Sequence, residues 1–357
     1  MKIRFIITGF PRKPNGGLIV ISKHIENLPN HEFTLAFVEQ EYFSFRNTIT
    51  KVRFFIASVF NEIPKWMKIY NTKALYYKSL PESFDQESIN ILTTVKQVSD
   101  AMGFLVDYKK TVYYAQHWEF WEFNNDVTRL KHIWKCGIPV VTCSNWLKEY
   151  VEDLNIDKIE VAENGVQDEL VNNITDFGKR EFDIVAMLST VYWKRSDLVI
   201  SILKHVQEKR KIMGLMPLKI VLFSVSKINT NYLDNASIFI NPSRAKINSI
   251  YQSSRVMLVT SDLEGFCLPA AEAMSNGCVV VSTNCGGVDD FIINEVNAII
   301  TKKGSEDSFN EIINKVLLNK EYWDYLSNNA VNSIDEYYKF NNSAQRFIGA
   351  LNKIIKE

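Results

Sequence analysis

One pattern limits what this chain can fold into more than any other: short apolar runs alternating with helical segments, in a series that occurs twice. The first series of strand candidates is Lys2–Thr8, Glu32–Val38, Ile89–Thr93, Thr111–Ala115, Pro139–Cys143 and Lys158–Val161. The second is Phe182–Leu188, Lys219–Ser224, Ser237–Asn241, Arg255–Thr260, Cys278–Thr283 and Ala298–Thr301. Helical patterns such as Trp146–Leu154 and Ser196–Lys211 fall between most of them. Strands that are apolar throughout must be covered on both faces, which points to parallel sheets flanked by helices. The polar, turn-rich stretch "NGVQDELVNNITDFGKRE", Asn164 to Glu181, separates the two series. At 357 residues the chain suits two domains rather than one. The expectation is an α/β chain of two doubly wound, Rossmann-like domains, residues 1–165 and 182–335, facing a cleft and joined by a linker over 166–181. Residues 336–357, amphipathic over Phe340–Lys356, are expected to form a last helix that packs back toward the first domain. Ligands are expected at the carboxyl ends of the strands.

Composition removes several classes. Lys and Arg number 41, and so do Asp and Glu, so no net basic field points to nucleic acid. No apolar run approaches the roughly 20 residues of a membrane span. The start, "MKIRFIITGF", reads as a strand and lacks the apolar region and cleavage site of a signal peptide, so a cytoplasmic protein is expected. Five cysteines without a CxxC give neither a disulfide framework nor a zinc site. No GxGxxG comes after either first strand, which disfavours a nicotinamide dehydrogenase. Thr8 instead leads into "GFPRKPNGGLIVISKHI", a loop whose Gly16-Gly17 pair opens a helix. Paired glycines let the backbone approach a ligand and a helix start offers free N–H groups, although a plain strand-to-helix turn accounts for them equally well.

The chemistry concentrates in "SDLEGFCLPAAEAMSNGC", Ser261 to Cys278. A strand ends at Thr260, a loop runs to Leu268, and Pro269 suits the first turn of a helix. The unpaired N–H groups from Phe266 to Pro269 would then face a phosphate or sugar hydroxyls. Glu264 lies in the loop, within reach of a polyhydroxyl ligand. Glu272, about a turn into the helix, can accept two hydrogen bonds from a vicinal diol such as a ribose. An acid near a helix start also simply complements the helix dipole.

The combination goes further. Glu264, Gly265, Phe266, Leu268 and Pro269, with Glu272, Ala273, Met274 and Gly277 after them, resemble the signature of GT-B glycosyltransferases of the family-4 type, in that family's E-x7-E arrangement. The strand "CVVVSTNCGGVDDFI" is also similar to the family's, and Cys267 stands where the family usually has glycine. "VVTCSNWLKEYV" and "VAENGV" resemble the segments around its interdomain strand. In "AMLSTVYWKRSDLVISIL", Lys194 and Asp197 match the family's K-G-x-D, whose lysine binds the donor diphosphate. The family's usual arginine is absent; Leu188 and Ser189 stand there, and Arg195, in the glycine position, is the candidate for the second charge. "VYYAQHWEFWEF" is similar to a subgroup that includes bacterial rhamnosyltransferases of surface-polysaccharide assembly, with Gln116, His117, Trp118 and Glu119 where that subgroup has Q-D-Y-E. His117, which replaces the acid, is either a hydrogen-bonded histidine at a strand end or a contact to the donor sugar.

The resemblance implies the GT-B architecture and a retaining, hexosyltransferase-type enzyme that moves a sugar from a nucleotide diphosphate to a glycan or lipid-linked acceptor. The expected donor residues are Gly16, Gly17, Lys194, Arg195, Glu264, Gly265, Phe266, Cys267, Leu268 and Glu272; Glu264, Lys194 and His117 are the catalytic candidates, with Glu264 positioning the donor sugar. No D-x-D carboxylate pair occurs, so neither metal nor cofactor is expected and cationic side chains and amides must carry the leaving charge. Arg46 to Lys78 carries seven lysines and arginines against one glutamate, with interleaved aromatics. On helices such a stretch lies on an anionic bilayer at the inner membrane face; the alternative is aromatics in the first core with solvated lysines. A nucleotide-sugar epimerase or hydrolase, and a catalytically silent partner of a polysaccharide-assembly complex, remain open alternatives.

Overall fold

Both series of apolar runs form parallel sheets in the computed structural model, which describes residues 1–39, 46–67, 69, 72–104, 108–166, 174–227, 236–301, 305–334 and 337–356. The chain divides into one unit of Met1–Gly165 with Phe340–Glu357 and a second of Val166–Lys339.

The first unit has seven strands: β1 (Lys2–Thr8), β2 (Glu32–Val38), β3 (Lys73–Tyr77), β4 (Ile89–Leu92), β5 (Thr111–Ala115), β6 (Val140–Thr142) and β7 (Ile159–Val161). Their spatial order is β3-β2-β1-β4-β5-β6-β7, all parallel, so the winding reverses beside β1. The register sets Phe5 beside Leu35 on one side and Ile91 on the other, all fully buried. Between strands run α1 (Gly16–Asn27), α2 (Arg46–Phe60), α3 (Val95–Ala101), α4 (Val127–Trp134) and α5 (Asn145–Tyr150). Side chains of Asn15, Thr94, Asp126 and Ser144 accept from the N–H three residues on and so cap α1, α3, α4 and α5.

The second unit repeats the plan with β8 (Phe182–Leu188), α6 (Ser196–Ile212), β9 (Ile220–Ser224), β10 (Ala236–Ile240), α7 (Arg244–Gln252), β11 (Ser254–Val259), α8 (Leu268–Ser275), β12 (Val279–Thr283), β13 (Ile299–Thr301), α9 (Glu306–Leu318) and α10 (Lys320–Ile334). Its order is β10-β9-β8-β11-β12-β13, again parallel, with the reversal between β8 and β11. Ile184, Ala186, Val256, Leu258, Val279 and Val281 form one sheet face under Leu198 and Ile202 of α6 and Phe309 and Ile313 of α9. The last helix, α11 (Phe340–Lys356), belongs to the first unit. Its Phe347 stacks on Phe5 and His24 at 5.8 and 4.8 Å and lies tilted against Tyr114 at 4.9 Å.

Three expectations change. Residues 174–181 are not a free linker; residues 167–173 lie outside the described ones. Ile174 and Phe177 pack on the second core, and buried Arg180 donates to the carbonyls of Thr175, Tyr251, Ser254 and Asn276. Burial lowers its pKa to about 10, which still leaves a full cation held by carbonyl dipoles. Gly277, at φ +69 after α8, leaves room for it, since a Cβ there would lie 2.8 Å from Arg180 Nη2. Second, Lys73–Tyr77 forms edge strand β3, so Arg46–Lys78 is not helical throughout. Its aromatics are partly internal: Phe54 packs edge-on against Tyr76 at 5.2 Å, and Trp66 Nε1 donates to Pro11 O at 2.9 Å. Third, Trp146–Leu154 is shorter as an α-helix, because α5 ends at Tyr150 and Glu152–Leu154 tightens into a 3₁₀ turn closed by Asn155 at φ 49.

Candidate functional site

The reversal between β8 and β11 brings two loops together at the carboxyl ends of those strands. After β8 the chain makes a 3₁₀ turn, Tyr192–Lys194, and enters α6 through Arg195. Ser196 Oγ donates to Ser189 O and accepts from Ser189 N, both at 2.8 Å, which closes the loop. Asp262 N donates to Trp193 O at 2.7 Å and Thr260 Oγ1 to Arg195 O at 3.0 Å, fastening it to the loop after β11. That second loop is fixed from the other side. Glu264 N donates to Cys285 O at 2.8 Å and Gly287 N to Glu264 O at 3.1 Å. Gly287 is obligatory for this approach: a Cβ would lie 2.4 Å from Phe266 N.

This frame sets Lys194 against Glu264. Lys194 Nζ lies 2.5 and 2.6 Å from the two carboxylate oxygens, and Ser261 Oγ donates to Oε1 at 2.6 Å. The Glu264 side chain is 7% exposed and that of Lys194 21%. Burial alone would lower the lysine pKa, but the Glu264 charge and its hydrogen bond outweigh burial and leave it raised. The ammonium therefore keeps its proton. Met187, Cys267 and Pro269 line the same small pocket as this pair.

Glu272, on α8, is also buried, and its Oε1 is bonded to Arg244 Nη2 at the start of α7. Arg244 was missed at the sequence level. The available signal was a cation in the first turn of a helix, where the dipole disfavours it unless a carboxylate compensates. Ser261 was also missed, having no motif of its own.

Arg195 is paired, as Lys194 is: its guanidinium lies 3.1 Å from Asp197 and 3.4 Å from Asp262. Its backbone is informative: φ 50, ψ 50 is left-handed. Cys267 is left-handed too, at φ 65, ψ 60. Both stand where the resembled motif has glycine, and both keep the conformation that glycine adopts without strain. Gly265 joins this loop to Glu264. Phe266 turns inward, its ring against Phe291 and Tyr338 at 5.2 and 5.7 Å, so its side chain packs rather than binds. Among the described residues nothing accepts from the N–H groups of Phe266, Cys267 or Leu268, which leaves three successive donors at the head of α8.

Gly16, Gly17 and His117 belong to the first unit. Gly16 and Gly17 open α1 after β1, and Gly17 lies close to Gln116, whose Cγ would be 3.2 Å from an added Cβ. Gln116 Oε1 accepts from Asn164 at 2.9 Å. His117 comes just after β5, is buried, and lies 4.7 Å from the Trp121 ring. Its Nδ1 accepts from Glu119 N at 3.2 Å, which assigns the proton to Nε2. Glu119, at φ 55, accepts from Val95 N at 2.5 Å, and burial raises its pKa to about 8.

Comparison with known proteins agrees with this plan. The structure of sucrose-phosphate synthase from Thermosynechococcus elongatus matches with a TM-score of 0.73 over 99% of each chain, at 13% identity. The fold is GT-B. A second GT-B structure, HepE of Anabaena in complex with UDP and glucose, matches at a TM-score of 0.69 and 13% identity, over 98% of this chain and 100% of its own. Residues 172–333, which hold Lys194, Glu264 and Glu272 on the GT-B frame, match the family "Glycosyl transferases group 1". An uncharacterized glycosyltransferase of Methanocaldococcus jannaschii is 31% identical over 102 residues, 29% of this GT-B chain and 26% of that protein, so the match spans about a quarter of that relative's length. These matches support sugar transfer as the chemistry.

Proposed function

We propose that the chain is a retaining glycosyltransferase that moves a sugar from a nucleotide diphosphate sugar to a glycan or lipid-linked acceptor of surface-polysaccharide assembly. The observation that carries this is the gathering of Lys194, Glu264 and Glu272 at the β8/β11 reversal, within the stretch that matches the family. As the glycosidic bond to the donor breaks, positive charge develops at the anomeric carbon and negative charge on the departing diphosphate. Lys194 and the amides of Phe266, Cys267 and Leu268 meet the second of these. Glu264, held by Ser261 and Lys194, positions sugar hydroxyls, and Glu272 takes the ribose diol. The Gly16–Gly17 amides at the start of α1 are assigned to the donor's diphosphate, and His117, presenting Nε2–H, to the hydroxyls of the donor sugar. Retention and independence from divalent metal belong to this proposal.

A thermal-shift screen of UDP-, GDP-, ADP- and dTDP-sugars finds the donor, since a ligand that binds only the native state raises its stability. Transfer to an acceptor with the stabilising donor, unchanged by EDTA, is the expected result. Binding without turnover on any acceptor contradicts sugar transfer; loss of activity on chelation, restored by a divalent ion, contradicts the metal-free reading alone.

A further inference from the structure

The face of α2 turned away from the first core is apolar. Phe54 and Ala57 point inward and are buried. Residues two apart on a helix differ by roughly 200° in direction, so Val52, Ile56 and Val59 point the opposite way. With Phe55 and Phe60 beside them they form a continuous stripe, each residue 46 to 70% exposed. Their combined exposed area is on the order of 500 Å², at the upper end of what a monomer leaves in water. Lys51 and Arg53, both exposed, fall on opposite flanks of that stripe, one to each side. An ordinary surface helix has the reverse arrangement, with apolar residues inward and charges at the centre of the outer face.

The neighbourhood adds positive charge. Phe54 against Tyr76, and Tyr76 Oη donating to the Glu62 carbonyl, hold the end of α2 near the carboxyl edge of β3. The Trp66–Pro11 hydrogen bond ties the segment after α2 to the loop after β1, where Arg12 and Lys13 are exposed, as is Lys65. Among the described residues of the segment from α2 to β3, Glu62 is the exposed acid.

We infer that the outer stripe of α2 is a docking surface for an anionic lipid leaflet. The helix lies in the interface with Val52, Phe55, Ile56, Val59 and Phe60 among the acyl-chain ends, while Lys51 and Arg53 extend sideways to lipid phosphates. No helix among the described residues is long and apolar enough to cross a membrane, so contact is by one face only. The carboxyl edge of the first sheet, where Gly16 and His117 lie, is then held next to the bilayer, which suits a lipid-linked acceptor. The inference does not depend on the reaction of the second unit.

Flotation with phosphatidylcholine vesicles carrying about a quarter phosphatidylglycerol tests it, alongside purely phosphatidylcholine vesicles. The intact chain is expected to float with the anionic vesicles at low salt and to float poorly with the neutral ones. Phe55→Ser with Phe60→Ser is expected to abolish flotation, and each of Lys51→Gln and Arg53→Gln to lower partitioning roughly fivefold. Unchanged thermal unfolding and nucleotide binding in these variants show that the fold and the donor site are intact. Failure of the intact chain to float overturns the inference, as does flotation unaffected by the paired serines. A dimer of the intact chain that the paired serines dissolve assigns the stripe to a second copy and overturns it as well.

Discussion

The pairing of Lys194 with Glu264 makes a strong and asymmetric prediction. Glu264 is anchored at both its N–H and its carbonyl, and its side chain is 7% exposed, so it cannot reach water if its partner is lost. Lys194 has a flexible stem and a head that is 21% exposed, so it can swing outward. Lys194→Met, which keeps the volume, should therefore cost about 3 kcal/mol, the lower end of what breaking a buried pair costs. Glu264→Gln keeps an acceptor for Ser261 and frees a lysine that can find solvent, and should cost about 1 kcal/mol. The double variant should resemble Glu264→Gln alone, giving a coupling of roughly 2–3 kcal/mol. Hydrogen exchange of the β8 and β11 peptides through a urea series reads the second unit without interference from the first. Additive single effects, each below about 0.5 kcal/mol, would refute the reasoning and leave the contact as a screened surface pair.

Other expectations are simpler to state. Glu272→Ala should weaken binding of the preferred nucleoside diphosphate by about 2 kcal/mol, roughly thirtyfold, in titration calorimetry; unchanged affinity removes the ribose role. At position 195 the order glycine over alanine should hold by about 1 kcal/mol in urea unfolding, because both remove the ion pairs and only alanine bears the left-handed strain. Equal stabilities there would mean that the turn relaxes. His24 is buried against Phe347, with a pKa lowered to about 3 by burial and then by Arg346. Its unfolded form takes up a proton below about 6.5 and its folded form does not, so it should cost the first unit about 2 kcal/mol between pH 6.5 and 5, a slope that His24→Gln removes.

The sheets were legible because their central strands leave no choice. "VVVST" in β12 is buried at every position, and such a run has a place only inside a covered parallel sheet. β3 was not legible, because an edge strand needs only one covered face: Ala74 is buried while Lys73 is exposed and its tyrosines half-covered, which mimics a solvated amphipathic stretch. The linker was misread at its end for a related reason. Arg180 is polar in the sequence but finds four carbonyls, three of them on two distant segments, and no local pattern announces that. At the site, the two glutamates and Lys194 were picked out by the resemblance of their motifs, whereas Arg244 could not be assigned, since its partner is 28 residues away and only the fold joins them.

Lys194, Arg195 and Arg244 face Glu264, Glu272, Asp197 and Asp262: three cations against four acids. At rest, the edge of the second sheet is thus an electrically quiet socket rather than a magnet for anions. Free phosphate and stray polyanions gain little by entering, and a donor must be selected through the hydroxyls and amides that its whole outline can meet. Its capture should accordingly respond only weakly to ionic strength.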